Sequence, residues 1–216
     1  LDTSWAELME WLPLLADAFQ INLQVAALTL LFGLPGGLLF ALGLRSNNKW
    51  LSKCSLVIVE LGRGAPALVL IQFVYFGLPQ VNITMESFLA ATVALAFSCA
   101  CYTSEIIRSG LDAVPAGQKE AAQALNMSSV DEMRFIILPQ ALRISTPALM
   151  GFAIIVLQST TLCFTIALPE IVAQAYEIGS MSFRYFPVLL LTAIFFVVVC
   201  VPASIAVGWM ESKQHQ

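Results

Sequence analysis

The sequence predicts an all-α membrane protein with five transmembrane helices, and three observations support this prediction. Hydrophobic residues make up 59% of the chain and charged residues only 11%, whereas soluble domains carry about 25% charged residues. The mean hydropathy is +0.84. Five apolar runs follow one another, and each is close to the roughly 20 residues that a helix needs to cross a bilayer.

The chain begins with a segment that differs from the runs that follow. Residues 1–18 alternate four acidic residues with tryptophan, leucine and methionine, which predicts an amphipathic helix on the outer membrane surface. The first span follows at about 19–44. This run is too long for a cleaved signal peptide, and its basic flank follows it rather than precedes it.

Four further apolar runs complete a single transmembrane domain over residues 19–210. Each of them is long enough, at about 1.5 Å per helical residue, to cross the hydrocarbon core of a bilayer. These predicted spans cover residues 55–78, 87–110, 144–168 and 186–209. Four of the five cysteines lie inside apolar runs, and we interpret them as small core residues.

Small residues surround a proline in the first span. Gly33, Gly36 and Gly37 flank Pro35, and this spacing predicts a kinked helix that packs closely against another. The sequence leaves two partners open, a second membrane subunit or the fourth span of the same chain.

Basic residues collect on one side of the predicted membrane. The 45–53 link, the 111–143 connection with its borders and the C-terminal tail hold nearly all of them: Arg45, Lys49, Lys53, Arg108, Lys119, Arg134, Arg143 and Lys213. The other side has Arg184 alone, and the acidic N-terminal segment has no base. Because basic loops stay in the cytoplasm, we expect the N-terminus outside and the C-terminus in the cytoplasm.

The longest polar feature of the chain is the connection at 111–143. Its stretch EAAQALNMSSVDEMRFIILPQALR, residues 120–143, is Ala-rich and carries five charged residues in twenty-four. Three interpretations are open: a docking site for a cytoplasmic protein, a helix lying on lipid, and a solvated linker. The apolar side chains of the stretch favour docking, because a solvated linker does not need them.

The same stretch carries a family resemblance. Glu120, Ala121 and Ala122, followed at the right offsets by Ile136, Leu138 and Pro139, resemble the EAA loop of ABC importer permeases. One position departs from the pattern, because Asn126 stands where a glycine is usual. Asparagine tolerates the positive φ that such a turn uses, so we expect the turn to form.

Further matches extend this resemblance over most of residues 11–170. VPAGQKEAAQALNMS, CYTSEIIRSGL and ELGRGAPALVLIQFVYFGLP are similar to motifs of the polar amino acid branch of these permeases, including the histidine and basic amino acid subunits. The resemblance implies a type I importer permease in a bacterial inner membrane. It also implies that the 111–143 connection contains a cytoplasmic coupling helix.

The resemblance also implies partners. In such importers two permease subunits, in a heterodimer or a homodimer, form the pathway, and a dimeric ATPase binds ATP and Mg²⁺. A periplasmic or lipid-anchored binding protein delivers the amino acid. The coupling residues implied here are Glu120, Ala121, Ala122, Leu125, Asn126, Met127, Ile136 and Pro139.

Four charged residues fall inside apolar runs. Glu60 and Arg63 are three residues apart in the second span, and Glu105 and Arg108 are three apart in the third. Such groups face protein or water and pair with one another. Two interpretations are open: an Arg63–Glu105 contact that forms a gate or hinge near Pro66, or structural pairs that reach the cytoplasmic interface.

Polar residues interrupt the fourth span at IVLQSTTL. This stretch resembles the substrate-lining L-L-K-D-T-S-L segment of basic amino acid permeases, with Gln158 and Ser159 in place of Lys and Asp. Gln158, Ser159, Thr160 and Thr161 are therefore candidate pathway residues. The missing acid fits either a weaker-binding half of a heterodimer or a less basic substrate. Helix bridging by hydroxyl groups is the structural alternative.

Several functions are disfavoured. The sequence contains no G-x-x-x-x-G-K-[ST] phosphate loop, so ATP hydrolysis belongs to a partner. His215 is the only histidine, and we find no catalytic or metal-ligand constellation. We therefore expect a membrane subunit without catalytic activity or cofactor, and no nucleic acid partner. A self-sufficient carrier or channel for small polar solutes is the alternative, although no internal repeat supports it.

The outer segment 169–185 contains three charged residues. Glu170, Glu177 and Arg184 either contact a binding protein or lie in a solvated loop.

Overall fold

The computed structural model describes residues 5–214, and these residues form helices and short connections without a strand. Residues 1–4 of the predicted surface segment, and His215, lie outside the described residues. The α-helices are α1 Trp5–Leu44, α2 Lys49–Gly64, α3 Ala67–Gln72, α4 Ser87–Ala113, α5 Ala116–Ala124, α6 Ser129–Asp131, α7 Leu138–Ser159, α8 Ile171–Ser182 and α9 Tyr185–Gln214.

Short turns of other helical types extend three of these helices. A π-helical turn, Phe73–Gly77, and a 3-10 turn, Leu78–Val81, continue α3. A second π-helical turn, Glu132–Ile137, joins α6 to α7, and a 3-10 turn, Thr160–Ile166, follows α7.

Helix α1 differs from the prediction. We expected a surface segment at 1–18 that is separate from a span at 19–44, but α1 runs through both without a break for 40 residues. The reason is packing. Trp11, Leu15 and Phe19 are buried in a cluster with residues of α8 and α9, including Ile171 and Val188. The position of this segment at the outer membrane surface stays a prediction.

The second predicted span is broken. Helix α2 ends at Gly64, Ala65 and Pro66 are extended, and α3 leaves at 102°. Pro66 has no N–H to continue the helical ladder, and it disfavours the helical conformation for the residue before it. Four helical segments of the described chain are long and apolar enough to cross a membrane. The bent pair, formed by Lys49–Gly64 and Ala67–Val81, brings the number to five if it counts as one span.

Helix α4 forms the centre of the molecule and contacts α1, α2, α3 and α7. The glycines of α1 make the closest approach: a Cβ on Gly36 would lie 2.9 Å from Ala100 Cβ, and one on Gly33 would overlap the side chain of Cys99. Both partners suggested by the sequence, a second subunit and the fourth span, are therefore wrong, since these glycines pack against the third span. The four cysteines in apolar runs are buried, as predicted.

Candidate functional site: a cavity at the broken span and the 111–143 loop

A cavity lies where α2 breaks. It has a volume of about 540 Å³, is lined by the break, α4 and α7, and is open on one side. Its polar side chains are Arg63, Ser98, Tyr102 and Ser159, and the remaining lining is mainly apolar. A cavity of this size with a few convergent polar groups is typical of small-molecule sites.

Arg63 is held loosely in this cavity. Its Nη1 lies 3.7 Å from Glu60 Oε1 and 4.0 Å from Glu105 Oε1, and its side chain is 36% exposed. The predicted Arg63–Glu105 contact is therefore present, together with the contact to Glu60 on its own helix. Both distances exceed those of a hydrogen bond, so the guanidinium keeps donors for another acceptor.

The charges continue along α4 toward the loop. Glu105 pairs with Arg108 at 2.6 Å, and Arg108 Nη1 lies 3.5 Å from Asp112. Asp112 also pairs with Arg45 at the end of α1. Together with Arg63 and Glu60, these residues form a row of ion pairs from the cavity to the base of the 111–143 loop. Sequence analysis missed Arg45 and Asp112 as members, because their pairing depends on how α1 and α4 cross.

The four polar residues predicted in the fourth span separate in the structure. Ser159 lines the cavity, Gln158 is exposed, and Thr161 is half-buried and donates to Gln158 O at 2.7 Å. Thr160 is fully buried and lies away from the cavity. Its hydroxyl accepts from Asn22 Nδ2 at 2.9 Å and donates to Leu157 O. The assignment of Thr160 to the pathway is therefore wrong, since it bridges helices.

Thr160 belongs to a buried polar cluster that sequence analysis missed. Asn22 Nδ2 also donates to Glu170 Oε2 at 2.9 Å, and Asn22 Oδ1 accepts from the Ile171 N–H. Glu170 caps the N-terminus of α8 by accepting from the Ala173 N–H at 3.0 Å. Glu170 is fully buried, so neither a solvated loop nor a binding-protein contact describes it. The acid directly before a helix was the available signal.

The 111–143 loop presents one short helix at its surface. Along α5, Glu120 and Ala121 are exposed, and Leu125 at its C-cap is 76% exposed. Ala122 is 2% exposed. The two alanines therefore differ: Ala122 packs within the chain, and Ala121 is available to a partner.

Asn126 ends α5 as predicted from its place in the motif. Its φ is 55°, in the left-handed region. The Met127 N–H donates to Ala122 O at 3.1 Å, and the Asn126 N–H donates to Gln123 O at 2.9 Å. This pair of bonds is the Schellman motif, which satisfies carbonyls at a helix end. Asparagine thus performs the turn that glycine performs in the related pattern.

The remaining loop residues anchor α5 to the membrane helices. Met127 and Ile136 are half-buried, and Pro139 is exposed in the first turn of α7. Ile137 is buried in a cluster with Ala41, Ile107 and Leu111. Gln140 Nε2 also donates to Gln118 Oε1 at 3.2 Å. The loop is therefore a packed element that is attached to α1, α4 and α7.

Comparison with known proteins identifies the family that has this architecture. A family model described as the inner membrane component of binding-protein-dependent transport systems matches residues 33–216. The chain belongs to this family. The permease is thus a non-catalytic, multi-pass component of a bacterial inner membrane ABC importer, whose ATP is hydrolysed by a separate subunit.

Relatives and structures agree with this membership. The permease is 35% identical to the probable glutamine ABC transporter permease protein GlnP of Bacillus subtilis (strain 168), over 95% of both chains. It is 31% identical to the arginine transport system permease protein ArtQ of the same organism, over 88% of both chains. A crystal structure of an amino acid ABC transporter with histidines matches at a TM-score of 0.91 and 30% identity, over 99% of the permease and 100% of that chain.

Proposed function

We propose that this permease imports polar amino acids, which an external binding protein delivers and which pass through the cavity at the broken span. The observation that supports this most is the Arg63 guanidinium in that cavity. An amino acid carries a carboxylate in every case, and a guanidinium with free donors is its natural partner. The full-length similarity to permeases named for glutamine and arginine supports the same class of substrate.

The pathway residues in this proposal are Arg63, Glu105, Gln158, Ser159 and Thr161. Arg63 and Ser159 line the cavity, and Glu105 lines a neighbouring groove between α4 and α7. A second permease subunit, identical or different, completes the pathway on the exposed side. The absence of an acid at 158–159 favours a polar substrate that is less basic than arginine, or a partner subunit that supplies this acid.

Helix α5 is the coupling helix in this proposal. Its exposed Glu120, Ala121 and Leu125 contact a dimeric ATPase that binds ATP and Mg²⁺. Three features support this role: α5 exposes charged and apolar side chains together, Asn126 ends it sharply, and the Ile137 cluster attaches it to three membrane helices. Movement of α5 is therefore passed to those helices.

Charge reversal on α5 tests the docking role. We expect Glu120→Lys to insert normally into the membrane but to lose the ATPase during purification and to abolish uptake, because a carboxylate that pairs with the partner is replaced by a repelling charge. Uptake is measured in proteoliposomes that contain the full transporter and the loaded binding protein, with labelled glutamine and arginine as substrates.

The matched control is Glu211→Lys, which makes the same charge change at an exposed position near the end of α9. The control should retain the ATPase and wild-type uptake. Wild-type uptake and ATPase retention in Glu120→Lys would show that α5 does not dock through this residue. A wild-type transporter that takes up no amino acid would overturn the proposed substrate class.

A further inference from the structure

The break in the second span leaves a backbone acceptor at the edge of the cavity. In a continuous helix the carbonyl of Arg63 would accept from the N–H four residues later. Ala65 and Pro66 are extended instead, and α3 leaves at 102°. The last backbone bond of α2 runs from the Ala65 N–H to Leu61 O at 3.1 Å, so the Arg63 carbonyl needs another donor.

Tyr102 of α4 supplies that donor. Its hydroxyl donates to Arg63 O at 3.0 Å. The ring stacks on Phe152 of α7, with 5.4 Å between the ring centroids and 25° between the planes. One side chain therefore joins the end of α2 to α4 and α7. The bond is made to the backbone, so it ties the end of α2 to α4 whichever side chain stands at position 63.

The same face of α4 also holds the side chain of Arg63. Glu105 follows Tyr102 by three residues, one helical turn away, and its carboxylate lies 4.0 Å from the Arg63 guanidinium. Helix α4 thus contacts Arg63 twice, at its backbone carbonyl through Tyr102 and at its guanidinium through Glu105. Of the two contacts, the Tyr102 bond is the shorter.

We infer that Tyr102 is the positioning residue of the transport pathway: its hydroxyl holds the break in the second span and thereby sets where the Arg63 guanidinium stands in the cavity. This inference rests on the proposed function, in which Arg63 faces the amino acid. Tyr102 acts through Arg63 and the span geometry. Sequence analysis did not single it out, because the orphan acceptor appears only when the span is broken.

The substitution Tyr102→Phe tests this role with little risk to folding, since it keeps the stacked ring and removes only the hydroxyl. We expect the amino acid taken up per ATP hydrolysed, in the complete reconstituted transporter, to fall about threefold to tenfold, the range that one lost hydrogen bond allows. A purely structural loss would lower uptake and hydrolysis together. Tyr75→Phe, in the same broken span, should leave the ratio at the wild-type value.

A direct measurement of the break completes the test. Cys54 on α2 is exposed, whereas the other four cysteines are buried, and Val81 at the far end of the bent pair is also exposed. Spin labels are attached at Cys54 and at Val81→Cys in the assembled transporter. Pulsed electron paramagnetic resonance spectroscopy then measures the distance between them, across the break. Tyr102→Phe should shift or broaden this distance distribution, and Tyr75→Phe should not.

The outcomes separate the inference from the proposed function. An unchanged distance distribution and an unchanged uptake ratio in Tyr102→Phe would overturn the positioning role while leaving the transport proposal intact. If the wild-type transporter moves no amino acid, the proposed function fails, and the spin-label distances still decide whether Tyr102 holds the break.

Discussion

Glu170 is a carboxylate that forms no ion pair with the residues that the structure describes. Glu170 is fully buried, and its hydrogen-bond donors are Asn22 Nδ2 and the N–H groups of Val172 and Ala173. Burial raises the pKa of Glu170, and these hydrogen bonds lower it in part. Their net effect is a raised pKa of Glu170 in the folded protein. Ionising this carboxylate therefore lowers the free energy of unfolding.

The raised pKa predicts how stability depends on pH. The unfolded chain has a glutamate pKa of about 4.3, and the folded value lies above it. The folded state therefore binds more protons in this window, and Glu170 lowers stability as the pH rises from about 4.3 through the folded pKa. In Glu170→Gln we expect this slope to disappear from the melting temperature measured between pH 4 and pH 8.

Two variants control the measurement. Glu177→Gln changes an exposed acid of the same helix and should keep the wild-type slope. Glu170→Ala should melt at a lower temperature than Glu170→Gln, because it leaves one N–H of the buried Asn22 amide without an acceptor, at about 1–3 kcal/mol. A wild-type slope in Glu170→Gln would mean that the carboxylate does not titrate in this range.

Single residues differ in how well sequence predicts them. Asn126 was predicted to adopt positive φ, because asparagine tolerates that region and because its place in the motif demanded a turn. Ala167 and Phe183 also adopt positive φ, at 57° each, and no property of alanine or phenylalanine signals it. Their conformations follow from how α8 is joined to its neighbours, which only the fold reveals.

The crossing of α1 and α4 depends on small residues at the contact. A Cβ added to Gly37 would overlap Thr103 Oγ1 and lie 3.1 Å from Ala100 O. Thr103 cannot move aside easily, because it is fully buried and its hydroxyl donates to Cys99 O at 2.7 Å. The two helices can therefore separate only at the expense of the core around them.

This contact makes a pair of glycine substitutions informative. We expect Gly37→Ala to destabilise the permease by about 1–3 kcal/mol, the usual effect of overpacking a filled core. Gly151→Ala is the matched control, since a Cβ at Gly151 on α7 meets no atom within 4 Å. The measurement is thermal unfolding in detergent. Equal melting temperatures for the two variants would contradict the close α1–α4 crossing.

The sequence predicts where a helix lies along the chain better than it predicts the direction in which that helix points. A gate or hinge near Pro66 was expected as one of two interpretations of the Arg63–Glu105 contact, within a span that was predicted to run unbroken over residues 55–78. The angle of 102° was not expected, because hydropathy measures how apolar a run is and not where its halves point. At the break the Arg63 carbonyl accepts from the Tyr102 hydroxyl, which lies 39 positions away in the sequence. The continuity of α1 was missed for a similar reason, since contacts with α8 and α9 maintain it.

The whole molecule raises the question of whether the bent pair crosses the bilayer. Length and composition allow either a broken span or a re-entrant loop. The basic 45–53 link favours a crossing, because it places that link in the cytoplasm while the following connection before α4 lacks a basic residue. Five crossings also agree with an N-terminus and a C-terminus on opposite sides.

Cysteine labelling decides between these arrangements. In a Cys54→Ser background the remaining cysteines are buried, so we introduce Asn47→Cys in the first link and Thr84→Cys before α4, both at exposed positions. We expect a membrane-impermeant maleimide to label Thr84→Cys from outside intact cells and Asn47→Cys only in inverted vesicles. Labelling of both from the same side would show a re-entrant loop and four crossings.

The length of α1 has a mechanical consequence. Its 40 residues extend for about 60 Å, twice the thickness of the hydrocarbon core. Near one end Glu7 pairs with Arg184 at 2.6 Å, and just beyond the other Arg45 pairs with Asp112. Both ends of α1 are thus tied by ion pairs to other parts of the chain, so we expect a displacement at its predicted cytoplasmic end to be passed along the helix to the opposite surface.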